Sequence, residues 1–156
     1  DIQASIGRKQ LARLPELIAE RRKLADRYSV LLSGAEGLIL PAEPRWARSN
    51  WQSYCVRLPP GTSQRKVMQH MLDRKIATRR GVMCAHREAP YAGMRLRHSL
   101  QESERAQDRG LLLPIYPGMT GQDQEMVAAA LRDALRHLRR NGRGGRSRPS
   151  ISTTLD

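Results

Sequence analysis

Phenylalanine is absent from this chain of 156 residues, and aromatic residues of all kinds make up only 4% of it. The expected core is therefore built on leucine and isoleucine, with little aromatic bulk. Cysteine occurs twice, at Cys55 and Cys84, too few for a disulfide framework or a four-cysteine zinc site. Cys84-Ala85-His86 with His98 downstream fits no zinc spacing and lacks a fourth ligand, so no metal centre is expected. No run approaches the ~18 apolar residues of a membrane-spanning helix. No secretory signal opens the chain, which makes a reducing, cytoplasmic setting the expectation. The chain also starts at Asp1 without a methionine and already inside a helical pattern, as a piece of a longer protein would.

Lysine is scarce as well. It occurs only at Lys9, Lys23, Lys66 and Lys75, so 24 of the 28 basic residues are arginine, against 15 acidic residues and a formal charge of +13. An excess of this size raises nucleic-acid binding as a class. However, the Arg-rich end (Arg136, Arg139, Arg140, Arg143, Arg146, Arg148) carries no aromatic residue on which a base could stack. An arginine bias reflects codon preference as readily as a phosphate-binding surface.

What is present is periodic. Ile2, Ile6, Leu14, Leu17, Ile18, Leu24, Tyr28, Leu31 and Leu32 recur at helical spacing and predict a helix over 1–33. Pro15 interrupts it and predicts a kink or two abutting helices, and Gly34 and Gly37 suit its end. After the short apolar run 38–40, residues 50–58 have strand composition and stop at Pro59-Pro60-Gly61. Trp51 and Tyr54 cannot share a face under strict alternation, which puts one of them at an edge. Thr62 or Ser63 then caps a helix with Val67, Met68, Met71, Leu72 and Ile76 on its inner face. Residues 77–83 predict a second strand, 99–107 a short helix and 111–118 a buried strand with a turn. Thr120 caps a last helix with Asp123 in its first turn and Met126, Val127, Ala130, Leu131, Ala134, Leu135 and Leu138 inward. Residues 139–156 lack apolar periodicity and are expected to be a disordered Arg-rich tail. So few strands cannot close a barrel. The fold class that follows is α/β, in the manner of a small α+β module: a long N-terminal helix, then a three- to four-stranded sheet with helices on one face.

Chemistry concentrates in one stretch, Arg79-Arg80-Gly81-Val82-Met83-Cys84-Ala85-His86-Arg87-Glu88-Ala89-Pro90-Tyr91. Arginine suits phosphate or carboxylate through its planar fork, and histidine can hydrogen-bond or move a proton near neutral pH. The same residues suit a surface loop whose charges pair among themselves. No Gly-rich phosphate loop, nucleophile elbow or paired-carboxylate arrangement accompanies them.

Four stretches together resemble the C-terminal part of the DegT/DnrJ/StrS family of sugar aminotransferases, which carry pyridoxal phosphate on fold type I. Asp1-Ile2-Gln3-Ala4-Ser5-Ile6-Gly7 with Gln10-Leu11 and Leu14 is similar to that family's "DIQAAIG…QL…L" helix, and Arg21-Arg22-Lys23 with Arg27-Tyr28 to its "RR…RY" continuation. Arg79 to Met83 and His86 to Tyr91 resemble its "TRRGIM…HRE…Y" loop, and Leu113 to Thr120 with Asp123-Gln124 its "LPLYPGMT…DQ" stretch. The resemblance covers about residues 1–135 and implies a linking helix over 1–33, kinked near Pro15, and a small domain over 34–138. It implies the C-terminal segment of an enzyme that passes an amino group from glutamate to a nucleotide-linked keto sugar, as a homodimer. It further implies that the Schiff-base lysine and most of the cofactor's phosphate cradle lie upstream of Asp1, so the segment alone is expected to be inactive. Substrate-side candidates are Arg79, Arg80, His86 and Tyr91, with no catalytic lysine and no cofactor ligand in the segment. No membrane or nucleic-acid partner is expected. Two other readings stay open: a non-catalytic sensory or regulatory member of the family, and a basic nucleic-acid-binding domain.

Overall fold

The structure, a computed structural model, describes residues 2–91, 93–95 and 97–143, with side chains as far as Arg140. The elements run α1 (Ile2–Leu31), β1 (Tyr54–Arg57), α2 (Gln64–Asp73), β2 (Arg79–Arg80), α3 (Gln101–Arg109), β3 (Gly110–Leu113) and α4 (Gly121–Arg143). Two 3-10 turns, Ala85–Arg87 and Ala89–Tyr91, lie between β2 and α3. The sheet is antiparallel in the order β1-β3-β2, and a single bridge between Ile39 and Arg57 adds the trace of a fourth strand. This is a mixed α/β fold with a long N-terminal helix and a small antiparallel sheet, as expected.

The core follows from strand alternation. Tyr54 pairs with Leu113 and Val56 with Leu111, so four apolar side chains share one face of the sheet. Leu24, Tyr28 and Leu32 of the first helical segment, Val67 and Met71 of α2, and Val127, Leu131 and Leu135 of α4 join them in one cluster. Local chemistry sets the helix ends. Ser63 caps α2 by accepting the Lys66 N–H at 3.4 Å. At α4, Asp123 N–H donates to Thr120 Oγ1 at 3.1 Å while Thr120 N–H donates to Asp123 Oδ2 at 2.9 Å, a reciprocal cap. Gly34, at φ +71°, turns the chain out of α1 in a conformation that side-chain-bearing residues avoid. Arg132 of α4 reaches across to the Leu31 and Ser33 carbonyls at the same end. Among the described residues, no helix is long and apolar enough to cross a membrane.

Several expectations change. α1 is continuous through Pro15, so two abutting helices are not formed; the site is exposed, and water can satisfy the carbonyl that proline leaves unpaired. Leu72 and Met126, expected inward, are 55% and 52% exposed. Each is turned well away from its helix's buried stripe, Val67–Met71 in α2 and Val127–Leu131 in α4, because successive residues are about 100° apart around a helix. Trp51 and Tyr54 are both buried, with ring centroids 5.8 Å apart. Strict alternation does not apply to them, because β1 begins only at Tyr54 and Trp51 lies before it at φ +48°. α4 runs on to Arg143, so residues 139–143 are helical where disorder was expected; arginine is a good helix former, and Arg139 pairs with Glu36. The rest of that expected tail, 144–156, lies outside the described residues.

The loop after Pro41 is tied to α1 by one ion pair. Arg22 meets both carboxylate oxygens of Glu43, at 2.9 and 2.7 Å, and the Ser49 N–H donates to the same carboxylate at 2.6 Å. These bonds, the Arg22 one foremost, pull the Glu43 carboxyl from its ordinary 4.5 down to about 2. A depressed carboxyl stabilises the fold above its unfolded value and ceases to do so as pH falls through the folded one. The expected result is an acid-side loss of stability between pH 4.5 and 2 that is shallower in Glu43→Gln than in the parent. Urea unfolding midpoints across that range check it, and parallel curves would refute it.

Candidate functional site

β2 is two residues long, and its neighbours point to opposite faces. Arg80 pairs with Leu111, on the core side of the sheet, and Arg79 with Leu112, on the other side. Arg80 accordingly lines a cavity of about 340 Å³ beside α2, with Arg65, Met68 and Gln69. Arg79 lines a separate groove of about 320 Å³ with Gln52, Ser53, Leu112 and Tyr116. Both arginines are exposed, and beyond the backbone ladder neither guanidinium makes a hydrogen bond or ion pair with another described residue. Thr78 lines both spaces, and its buried Oγ1 has no partner among the described residues.

The loop that follows is pinned to α3. Cys84 is buried; its N–H donates to Gln107 Oε1 at 2.7 Å and its thiol to the Ser103 carbonyl at 3.2 Å. His86 Nε2 meets Glu104 Oε1 at 3.0 Å, and the imidazole side chain is only 14% exposed. Arg87 grips both oxygens of Asp108, at 2.5 and 3.1 Å, and stands 3.5 Å from Glu104. Ser103, Glu104, Gln107 and Asp108 share one face of α3 because residues four apart on a helix are neighbours. The His86 hydrogen bond, then the Arg87 charge, lowers the Glu104 carboxyl. Arg87 lowers Asp108 in the same way, with a smaller push from Arg80. Among the described residues α3 itself contributes none that is buried. Polar bonds hold it instead: Gln64 Nε2 donates to the Gln107 and Gly110 carbonyls, and Arg109 Nε to that of Leu58.

The structure therefore divides the four sequence candidates. His86 is engaged with α3, Arg79 and Arg80 open into different grooves, and Tyr91 is exposed in the second 3-10 turn. Glu104, Gln107 and Asp108 are the residues the sequence reading missed. A face of acid and amide side chains on a short helix with no apolar stripe was the available signal. Cys55 and Cys84 are both free thiols, and burial pushes the Cys55 thiol up. Among the described residues no group of three or more His, Cys, Asp or Glu side chains could hold a metal ion.

A carbonyl cofactor held as a Schiff base needs a shielded lysine whose amine can lose its proton. Lys9, Lys23, Lys66 and Lys75 are all exposed. The residues of this chain do not fit covalent attachment of such a group.

Comparison with known proteins gives one consistent result. The model of the DegT/DnrJ/EryC1/StrS aminotransferase family matches residues 1–132. A curated relative, the dTDP-4-dehydro-2,3,6-trideoxy-D-glucose 4-aminotransferase of Saccharopolyspora spinosa, is 35% identical over 138 residues, covering 88% of this chain and 35% of the relative. The crystal structure of the aminotransferase TlmJ from Streptoalloteichus hindustanus is similar with a TM-score of 0.78 at 32% identity, over 87% of this chain and 36% of that one. S. venezuelae DesV, solved in complex with a ketimine intermediate, gives 0.75 at 28% identity over 84% of this chain and 35% of its own. The chain thus spans about a third of the length of these relatives.

Proposed function

The chain belongs to the DegT/DnrJ/EryC1/StrS aminotransferase family, and from that premise we propose that it is the C-terminal third of a pyridoxal-phosphate enzyme. That enzyme passes an amino group from glutamate to a nucleotide-linked keto sugar. The observation that carries the reading is the match across 88% of the chain to a relative named for such a sugar. The cofactor, when bound, supplies the electron sink for transamination. Its Schiff-base lysine and phosphate cradle belong to the part of the protein upstream of Asp1, consistent with the exposure of all four lysines here.

In this reading residues 1–33 are a linking helix, and 34–138 a small domain that covers the cleft. Ile2, Ile6, Leu11 and Leu14 are exposed along the first half of α1, an apolar surface suited to packing against the rest of the enzyme. Arg79, Arg80, His86 and Tyr91 are its substrate-side groups. The arginines offer charge to a nucleotide diphosphate or to the carboxylate of the amino donor, and their opening into two separate grooves suits a reading in which they serve different anions.

Expression of the full reading frame with pyridoxal phosphate tests this. A yellow protein whose visible band disappears on adding glutamate is expected, whereas the 156-residue chain alone stays colourless and inactive. A colourless full-length protein, or one without an upstream lysine in the cofactor motif, overturns the enzymatic reading in favour of a sensory or regulatory relative.

A further inference from the structure

We propose that Glu104 is a positioning residue for His86: it takes the Nε2–H and thereby presents Nδ1 as a hydrogen-bond acceptor to a hydroxyl or amine of the sugar substrate. The inference rests on the reading above that His86 faces that substrate.

The geometry runs in one direction. An ionised carboxylate only accepts hydrogen bonds, so the nitrogen 3.0 Å from Glu104 Oε1 has to be the donor. The proton of the neutral ring is then on Nε2, and the lone pair is on Nδ1. Nδ1 has no hydrogen-bond partner among the described residues, yet it is not one of the buried polar atoms that lack one. Among the described residues nothing competes with a ligand donor for its lone pair. The imidazole is otherwise shielded, at 14% exposure, and a shielded hydrogen bond holds a ring orientation better than an exposed one.

The anchoring of the partner is equally specific. Among the described residues Glu104 forms ion pairs with His86 and Arg87 alone, and Arg87 is occupied by both oxygens of Asp108. One Glu104 oxygen is thereby left to His86, while Arg87 and Asp108 fix the loop's distance from α3. Cys84, bonded to Gln107 and Ser103, fixes the loop's entrance two residues earlier. Glu104 is the member of this cluster that sets the ring's tautomer, and Asp108 the member that only tethers the loop.

The test uses the full-length holoenzyme with dTDP-4-dehydro-2,3,6-trideoxy-D-glucose as the probe sugar, in variants Glu104→Ala, Glu104→Gln, Asp108→Asn and His86→Gln. Glu104→Ala should raise KM for the sugar about tenfold, the loss of one hydrogen bond, while bleaching of the visible band by glutamate is unchanged. Glu104→Gln keeps an acceptor oxygen and should return KM to within about twofold of the parent. Asp108→Asn, which spares the His86 contact, should leave KM for the sugar unaltered. The ¹⁵N shifts of the His86 ring should report the Nε2–H tautomer in the parent and in Glu104→Gln, and lose it in Glu104→Ala. If His86→Gln is impaired but Glu104→Ala is not, or if Glu104→Ala keeps the tautomer, the positioning role is refuted while the substrate-facing reading survives. If His86→Gln itself turns over the sugar normally, it is the reading that fails.

Discussion

Truncating Tyr28 to alanine is expected to remove about 3–5 kcal/mol of folding stability, the range for deleting a fully buried aromatic ring. Tyr28 is 0% exposed at the centre of the cluster that joins α1 to the sheet. Its ring lies 5.1 Å from that of Tyr54, and its hydroxyl donates to the Pro114 carbonyl at 2.8 Å. Burial pushes its phenol well above the usual value, so the group stays neutral and acts as a hydrogen-bond donor at every physiological pH. Tyr28→Phe separates the two contributions. It keeps the ring and leaves the Pro114 carbonyl unpaired, for a loss of about 1–3 kcal/mol. Urea titrations followed by circular dichroism read both, and an alanine variant within about 1 kcal/mol of the parent would refute the assignment. The consequence extends to the groove beside Arg79. Pro114 leads directly into Ile115 and Tyr116, which wall that groove, so this one hydroxyl couples the long helix to the surface read as substrate-facing.

The parts of the fold that were legible in the sequence are those with a period. α1, α2 and α4 carry apolar residues at helical spacing, and the Leu111-Leu112-Leu113 run reads as the buried central strand it is. The short helix expected over 99–107 lies at Gln101–Arg109. The failures have a different physical origin. Trp51 adopts a left-handed backbone that no alternation rule anticipates, because its indole gains more by burial against Tyr54 than the strain costs. Gln124 is fully buried in a helix stripe that otherwise holds apolar residues, and its Nε2 donates to the Leu24 carbonyl at 2.8 Å. A polar residue is stable there only because a carbonyl on another helix happens to face it, which is a tertiary fact. The candidate site divides along the same line. The density of Arg79, Arg80, His86 and Tyr91 is visible in the chain, whereas the pairing of His86 with Glu104 and Arg87 with Asp108 spans 18 and 21 residues and has no local signature.

The clamp between that loop and α3 depends in turn on two glycines, and Gly110→Ala is expected to cost about 3 kcal/mol, at the upper end of the overpacking range. Gly110 joins α3 to β3 at φ −75°, a conformation open to any residue, so the obstacle is space alone. A Cβ there would stand 2.6 Å from the Ala106 carbonyl oxygen, a backbone atom of the helix that carries Glu104 and Asp108. Relief requires α3 to move against the sheet. Gly81 presents the contrasting case. Its Cβ would stand 2.7 Å from Cys55 Sγ and 3.2 Å from two Gly110 backbone atoms, and its own N–H donates to the Gly110 carbonyl at 3.0 Å. The tightest contact is with a side chain, so Gly81→Ala should cost about 1–3 kcal/mol alone and less once Cys55→Ala clears the sulfur. A double-mutant cycle should therefore show favourable coupling of about 1 kcal/mol for Gly81 with Cys55, and much less for Gly110, whose Cβ would stand an ordinary 3.5 Å from the same sulfur. Additive behaviour in the first pair, or rescue in the second, would mean that β2 and α3 are not held by this close approach. In the full-length enzyme proposed above, Gly110→Ala should also raise KM for the proposed sugar substrate at temperatures where it remains folded, because the shift that accommodates its methyl group carries Glu104 away from His86. Gly81→Ala with Cys55→Ala leaves α3 in place and should not.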